Sequence, residues 1–205
     1  MRQETEREEE IYVRKLLGDR YGAYLLKIPK SEQEGVKTPD FELLVTDVRV
    51  AILEVKRLVR TPRTPGNGWQ VKVSANGIRE ATRTDNAPQR VSKLIHEAWK
   101  QLHTVPDPKI HVFVNDESQM DSLDLQEAFN GFLHYGNDSL GYYKNTVSAK
   151  VANGAIRGEK WQIDLYVWID RCRRLNPEFL VSTETGLELA RRFFGCPHIR
   201  NWGQA

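Results

Sequence analysis

The sequence predicts the α/β fold class, as an α+β sandwich in which helices flank a central mixed β-sheet. Three observations predict this class: amphipathic helical patterns begin and end the chain, apolar strand-like runs lie between them, and one strong amphipathic helix separates two of these runs. The 205 residues suit one domain. We therefore expect a single domain over 1–205, with its core over about 5–170 and a C-terminal helical extension over about 171–205.

The N-terminal part of the chain carries one helical pattern and three strand patterns. Apolar residues at helical spacing predict a helix over 5–21, and Gly22 follows as a C-cap. A short strand is predicted over 23–28. Two further strands, over 40–45 and 48–55, are separated by two residues that suit a hairpin turn. The second strand is almost continuously apolar, which is typical of a central strand covered on both faces.

The rest of the chain alternates between predicted strands and helices. Alternating apolar residues predict strands, and apolar residues three or four apart predict helices. The stretch 77–88 is too polar for either and is predicted to be a loop. In chain order, the elements are a strand at Trp69–Val73, a helix at 89–103, a strand at 110–114, a helix at 123–133, a strand at 161–169 and a helix at Glu184–Phe194.

Composition and charge exclude several classes of protein. No apolar run reaches the roughly 18 residues that a membrane span requires. The first residues are acidic and polar, unlike a signal peptide, so we expect a cytoplasmic protein without a membrane partner. Cys172 and Cys196 are then not expected to form a disulfide. The formal net charge is only +2, but basic residues concentrate between Lys56 and Arg90, as in a local surface that attracts phosphates.

The apolar strand over 48–55 ends in residues that are unusual for a buried strand. Side chains alternate along a strand, so Glu54 and Lys56 project from one face while Val55 packs on the other. Asp40 begins the neighbouring strand of the hairpin and can face the same side. Two carboxylates and one ammonium group are therefore expected to converge at the edge of the sheet.

Such a cluster suits the hydrolysis of a phosphodiester. Asp40 and Glu54 can bind Mg²⁺ (or Mn²⁺) through oxygen, with the carbonyl of Val55 as a further ligand. The metal lowers the pKa of a bound water and offsets charge on the phosphate. Lys56 can orient that water or stabilise the developing negative charge. The alternative is an ordinary cross-strand salt bridge, against which stands the cost of an acid in an apolar strand.

These residues also resemble a known signature. Pro39-Asp40, the gap of 13 residues before Glu54, and Glu54-Val55-Lys56 are similar to the motif of the PD-(D/E)xK nucleases, which include restriction endonucleases and Holliday-junction resolvases. The resemblance implies a restriction endonuclease-like fold. It also implies a metal-dependent endonuclease, expected to be a Mg²⁺-dependent deoxyribonuclease. The implied partner is DNA, and a homodimer is left open because cutting both strands commonly uses two active sites.

The resemblance implies two further site residues. Many members carry a metal-binding glutamate on the first helix, where Glu9 lies near the centre of the apolar face and Glu10 at its margin. Equally, Glu8, Glu9 and Glu10 can simply complement the helix dipole. Exonuclease-like members place Gln and a polar partner four residues later on the helix after the motif. Gln89 and Lys93 have this spacing, although those members usually have Tyr in place of Lys93, and a solvated helix start is the alternative.

Basic residues cluster in the loop-rich stretch after the motif, where a substrate backbone would pass. Any one of them can equally be a solvated surface charge. The candidates for phosphate contact are Arg57, Arg60, Arg63, Lys72, Arg79, Arg83, Arg90 and Lys93. The rival to a nuclease is a catalytically inactive module that keeps the nuclease fold and binds nucleic acid or assembles within a defence or mobile-element system.

Overall fold

The computed structural model describes residues 6–33, 37–59, 69–73, 79–83, 87–118, 120–130, 132–137, 141–146, 158–195 and 200–201. Over these ranges the α-helices are α1 (Glu8–Tyr21), α2 (Ala87–Leu102), α3 (Ser122–Asn130) and α4 (Glu184–Phe194). The strands are β1 (Tyr24–Lys27), β2 (Phe41–Val45), β3 (Val48–Leu58), β4 (Trp69–Val73), β5 (Arg79–Arg83), β6 (Lys109–Asn115), β7 (Phe132–Asn137), β8 (Gly141–Thr146), β9 (Leu165–Asp170), β10 (Glu178–Val181) and β11 (Arg200–Asn201). For β4, β5, β7, β8 and β11 only the backbone is described.

One mixed sheet organises the fold, and it confirms the predicted class. Its strand order is β1-β2-β3-β6-β9-β10-β11. The central strands β3, β6 and β9 are parallel, β1 and β2 are antiparallel to their neighbours, and β10 pairs antiparallel with β9 and parallel with β11. Helix α2 lies in the crossover from β3 to β6, as a parallel connection requires. The middle of β3, residues 51–55, is fully buried, which agrees with its prediction as a central strand.

Helices cover both faces of this sheet and enclose two cores. On one face, Val13 and Leu17 of α1 and Leu189 and Phe194 of α4 pack on the sheet; we call this the α1/α4 core. On the other face, apolar side chains of α2 and α3 pack on side chains such as Phe113 and form the α2/α3 core. Within the described ranges, no helix is long and apolar enough to cross a membrane.

The β2–β3 hairpin forms as predicted and fixes the position of the candidate site. Its two connecting residues, Thr46 and Asp47, both have positive φ, 47° and 61°. This left-handed pair is the backbone of the tight turn whose twist matches that of the flanking strands. In the register of the hairpin Phe41 pairs with Leu53, and the Asp40 amide donates to the Leu53 carbonyl at 3.0 Å. Asp40 is thereby held beside the end of β3 that carries the site.

Several predicted elements differ from the structure. The stretch 77–88, predicted as a loop, contains β5, which pairs with β4 outside the main sheet. The helix predicted over 123–133 ends at Asn130, and β7 follows it and pairs with β8. Both errors concern strands of separate two-stranded hairpins. Their pairing with β4 and β8 identifies β5 and β7 as strands, and pairing between separate segments is not visible in the periodicity of either one.

The C-terminal region also differs from its prediction. The strand predicted over 161–169 is a short 3₁₀ turn, Glu159–Gln162, followed by β9. The segment after 170, expected as a helical extension, adds β10 to the main sheet as well as the predicted helix α4. Phe179 of β10 packs in the α1/α4 core. This segment therefore belongs to the body of the fold.

Candidate active site

Glu54 is an acid buried inside the central sheet. Its exposed fraction is 0%, and the Lys56 Nζ lies 2.7 Å from its Oε1. Its Oε2 accepts no hydrogen bond from the part of the chain that the structure describes. Burial, followed by the negative charge of Asp40, raises the pKa of Glu54 to about 8. Its neighbour in register on β6, His111, is fully buried, and burial holds the pKa of its imidazole well below the ordinary value, so His111 adds no positive charge beside Glu54.

Asp40 lies beside Glu54 and is bound from three directions. Its Oδ2 accepts the backbone N–H of Val55 at 2.9 Å and the Arg7 Nη2 at 2.9 Å. Its Oδ1 lies 3.4 Å from the Lys27 Nζ. The Val55 amide is the peptide that links Glu54 to the next strand position, so this hydrogen bond fixes Asp40 next to Glu54. The structure thus brings the predicted carboxylates together.

The N-terminus of α1 contributes two more carboxylates to the same place. Glu10 is 1% exposed, and the Lys27 Nζ lies 2.7 Å from its Oε2. It also accepts hydrogen bonds from Arg7, and these partners hold the pKa of Glu10 down at about 2 despite its burial. Glu9 lies 3.4 Å from the Arg7 Nη1. Both glutamates reach Arg7, but only Glu10 shares both Arg7 and Lys27 with Asp40.

Lys56 is held on the side of the site that faces α2. Its Nζ bridges the Glu54 Oε1 and the Oε1 of Gln101, which is 2.7 Å away. The Gln101 Nε2 donates in turn to the Thr38 carbonyl at 3.2 Å. Gln101 therefore ties Lys56 to the segment that leads into Asp40. The Lys56 side chain is only 14% exposed, so this ammonium group has little freedom to leave the cluster.

Gln89, predicted as a catalytic residue, is not brought to the site. It is exposed in the first turn of α2, whereas the site contacts that helix through Gln101 in its last turn. Twelve residues of helix separate the two glutamines, a distance of about 18 Å along the axis. Lys93, its predicted partner, is 77% exposed and faces Glu97 on the same helix at 3.9 Å. Gln89 and Lys93 are therefore solvated residues near the start of α2, which was the alternative interpretation.

The predicted phosphate contacts divide into three groups. Arg57 is engaged within the chain, with its Nε 2.6 Å from Asp116 and its Nη1 3.2 Å from Glu8. Arg90 donates to the carbonyl of Val59. Arg60 and Arg63 lie outside the described residues, as do the side chains of Lys72, Arg79 and Arg83 on the β4–β5 hairpin.

A divalent metal has suitable donors here but no complete set of side chains around it. Within the described ranges, no group of three or more His, Cys, Asp or Glu side chains is arranged to hold a metal ion. The oxygens of Asp40 and Glu54 and the carbonyl of Val55 are nevertheless the hard ligands that Mg²⁺ prefers. The buried Glu54 Oε2 without a hydrogen bond is the kind of oxygen that a cation would compensate. The donor chemistry therefore fits Mg²⁺ or Mn²⁺.

Neither a protein-family model, nor a curated protein, nor a solved structure matches this chain. The resemblance to PD-(D/E)xK nucleases therefore rests on its own residues. The residues that carry it are Asp40, Glu54 and Lys56. They converge beside the hairpin, on a mixed sheet with helices on both faces.

Sequence reasoning missed three residues of the cluster, and each has a reason. Lys27 pairs with Phe41 in the β1–β2 register, which places it beside Asp40, so strand pairing was the signal that could have found it. Arg7 lies inside the helix predicted over 5–21 but ahead of its apolar residues, so no periodicity marks it as a site residue. Gln101 lies at the far end of α2, where only the packing of the helix on β3 reveals its contact.

Proposed function

We propose that the chain is a metal-dependent endonuclease that hydrolyses phosphodiester bonds, with DNA as its substrate and Mg²⁺ or Mn²⁺ as its metal. One observation carries the proposal: the Glu54 carboxyl group is fully buried beside Asp40 and paired with Lys56. A buried ionised group is costly unless it is compensated by a cation and hydrogen bonds. A strand with a purely structural role would be more stable with an apolar residue at this position.

Each side chain of the cluster has a distinct task in this reaction. Asp40, Glu54 and the Val55 carbonyl would hold the metal ion, which when bound makes a coordinated water more acidic and offsets charge on the phosphate. Lys56 holds a positive charge at the Glu54 carboxylate, where it stabilises negative charge that develops on a phosphate oxygen. Gln101 keeps the Lys56 ammonium in this position. Because the cluster is largely buried, water screens these charges weakly.

A second candidate function rests on a different observation. Arg7 and Lys27 already contact Asp40, so its charge is compensated without a metal ion. A chain that keeps these internal cations permanently would be an inactive nuclease-fold module. Such a module would bind nucleic acid or assemble with partners, as in a defence or mobile-element complex.

Cleavage of a substrate panel by the purified full chain tests the proposal. We expect wild type to cut at least one of labelled linear, circular, flapped or branched DNA in Mg²⁺ or Mn²⁺. Glu54→Gln, Asp40→Asn and Lys56→Met should each lower the rate by about 10²-fold or more. Glu42→Gln is the matched control, because Glu42 is a partly exposed acid on β2 that pairs with Arg49 at 2.9 Å.

The outcomes of this panel separate the two functions. Equal cleavage by wild type and Glu54→Gln would overturn the assignment of the active site. Binding of DNA without cutting, in either metal, would favour the inactive module. RNA forms of the same substrates decide between DNA and RNA, and gel filtration tests the homodimer. The proposal also places the protein in the cytoplasm, which fractionation of the source cells tests.

A further inference from the structure

Arg7 occupies a particular position in the candidate active site. It is the N-cap residue of α1, and its backbone N–H donates to the Glu10 Oε2 at 3.2 Å. Its guanidinium extends over the cluster and contacts four groups at once. These contacts are to Glu10, to the Asp40 Oδ2 at 2.9 Å, to the Val55 carbonyl at 3.4 Å and to the Glu9 Oε1 at 3.4 Å.

The groups that bind the guanidinium include most of the oxygens predicted to bind the metal. Asp40, Val55 and Glu9 all belong to the predicted ligand set, and Glu10 was the alternative to Glu9. A divalent ion binds such oxygens at about 2.0–2.6 Å. A guanidinium nitrogen 2.9 Å from the Asp40 Oδ2 fills the space in front of that oxygen. The metal ion and the guanidinium of Arg7 therefore exclude each other at this position.

We propose that the Arg7 guanidinium occupies the metal-binding position of the cluster when no metal is present, and that a divalent ion binds by displacing it. The inference rests on the proposed function, since it concerns the metal of the same site. It explains why the described acidic side chains are not arranged around a metal, because Glu9, Glu10 and Asp40 contact Arg7 instead. Arg7 thus sets the metal concentration at which the site becomes occupied.

The surroundings of Arg7 allow this exchange. Its side chain is 41% exposed, so the guanidinium can turn out into solvent without disturbing the core. The backbone hydrogen bond from Arg7 to Glu10 does not depend on the side chain, so the first turn of α1 is kept. Lys27 stays paired with Glu10 and Asp40. Exchanging the guanidinium for a divalent ion adds one positive charge at a place where Glu9, Glu10 and Asp40 already face Arg7.

Titration of Mn²⁺ into the purified 205-residue chain by calorimetry tests the displacement. Removing the competing guanidinium in Arg7→Ala should tighten Mn²⁺ binding by about tenfold or more, since each tenfold change in affinity corresponds to about 1.4 kcal/mol. Arg14→Ala is the matched control, because Arg14 lies on the same helix, is 48% exposed and pairs with Glu6 at 2.7 Å away from the cluster. This control should leave the affinity unchanged.

Thermal unfolding supplies a second measurement that does not depend on catalysis. Without metal, Arg7→Ala should lower the Tm, because the carboxylates of Glu10 and Asp40 lose a shared cation. Added Mn²⁺ should restore that Tm and should raise it by more than it raises the Tm of wild type. A lowered Tm without recovery in Mn²⁺ would make Arg7 a structural cation only and would overturn the inference.

The inference and the proposed function fail in different ways. If Arg7→Ala binds Mn²⁺ no more tightly than wild type while wild type cuts DNA, the displacement is wrong and the nuclease stands. If Arg7→Ala binds Mn²⁺ more tightly but neither protein cuts any substrate, the displacement stands and the nuclease is wrong. Absence of Mn²⁺ binding in both proteins overturns the displacement, whatever the cleavage assay shows.

Discussion

At the scale of single residues, Glu54 combines two demands that usually exclude each other. It sits in the buried middle of a central strand, and it carries an ionisable group with an incomplete set of partners. Burial and the negative charge of Asp40 together outweigh the Lys56 ammonium on the same strand, so the pKa of Glu54 is raised and the group holds its proton more strongly than an exposed glutamate does. Folding and proton binding at Glu54 are therefore linked.

This linkage predicts how stability depends on pH. The folded protein keeps the Glu54 proton up to about pH 8, whereas the unfolded chain loses it near the ordinary value of 4.5. The stabilisation is therefore full below pH 4.5 and is lost as the pH rises through 8, at up to about 1.4 kcal/mol per pKa unit. Glu54→Gln, which mimics the protonated form, should lose less stability over this interval. Urea unfolding in metal-free buffer at pH 5 and pH 8.5 measures the difference.

The comparison between the two pH values contains its own control. Other ionisable groups are common to both proteins, so they cancel in the difference between wild type and Glu54→Gln. An equal difference at pH 5 and pH 8.5 would show that the pKa of Glu54 is not raised in the folded protein. Addition of Mn²⁺ at pH 8.5 should stabilise wild type and not the variant.

At the scale of elements, local patterning predicted the hairpin and the three residues on it. Asp40, Glu54 and Lys56 could be found because alternation along two joined strands decides which face they share. Glu9 was favoured over Glu10 by the helical wheel, yet Glu10 is the glutamate that shares both Arg7 and Lys27 with Asp40. A wheel treats the helix alone and contains no information about its neighbour.

The remaining parts of the site depend on packing between distant elements. Arg7 and Lys27 reach Asp40 from α1 and β1, and Gln101 reaches Lys56 from α2. No pattern within one element encodes these contacts. Strand β5 was missed for a related reason. Its sequence is mostly polar, so only its pairing with β4 in the described structure identifies it as a strand.

The N-cap of helix α4 joins the helix to the segment before β9. This N-cap is Thr183, whose Oγ1 accepts the Gly186 N–H at 3.1 Å and donates to the Asp164 Oδ1 at 2.6 Å. Thr183→Ala removes both bonds and should lower the free energy of unfolding by about 1–2 kcal/mol. Thr183→Ser keeps the hydroxyl and should lose much less. Urea denaturation of both variants decides this, and equal losses would mean that the methyl group, not the cap, stabilises α4.

Gly186 of α4 lies against the backbone just before β9. A Cβ built on this residue would lie 1.8 Å from the Asp164 carbonyl oxygen, so the helix would have to move away. We expect Gly186→Ala to destabilise the protein by about 1–3 kcal/mol or more. Gly158→Ala is the control, since its Cβ would meet nothing within 4 Å. Thermal unfolding compares the two, and similar Tm values would contradict the close packing of α4.

At the scale of the whole molecule, one sheet separates two cores and belongs to both. Leu17 lies in the α1/α4 core and Ile95 in the α2/α3 core, and each is fully buried. Leu17→Ala and Ile95→Ala should each cost about 2–5 kcal/mol. Because the two cores share β3, β6 and β9, each variant should still unfold in a single transition. Calorimetry checks this prediction, and two separate transitions in either variant would show that the faces of the sheet unfold independently.

The hydrogen bond from the Val55 backbone to Asp40 has an evolutionary consequence. Position 55 holds the site through its amide, while its side chain only fills the core. Natural variation among Val, Ile and Leu at this position would therefore leave the site intact, because every one of them supplies the same N–H. Proline alone removes that donor. Position 55 can thus vary in sequence although the site depends on it. Selection on this position would appear only as a preference for apolar residues and an exclusion of proline.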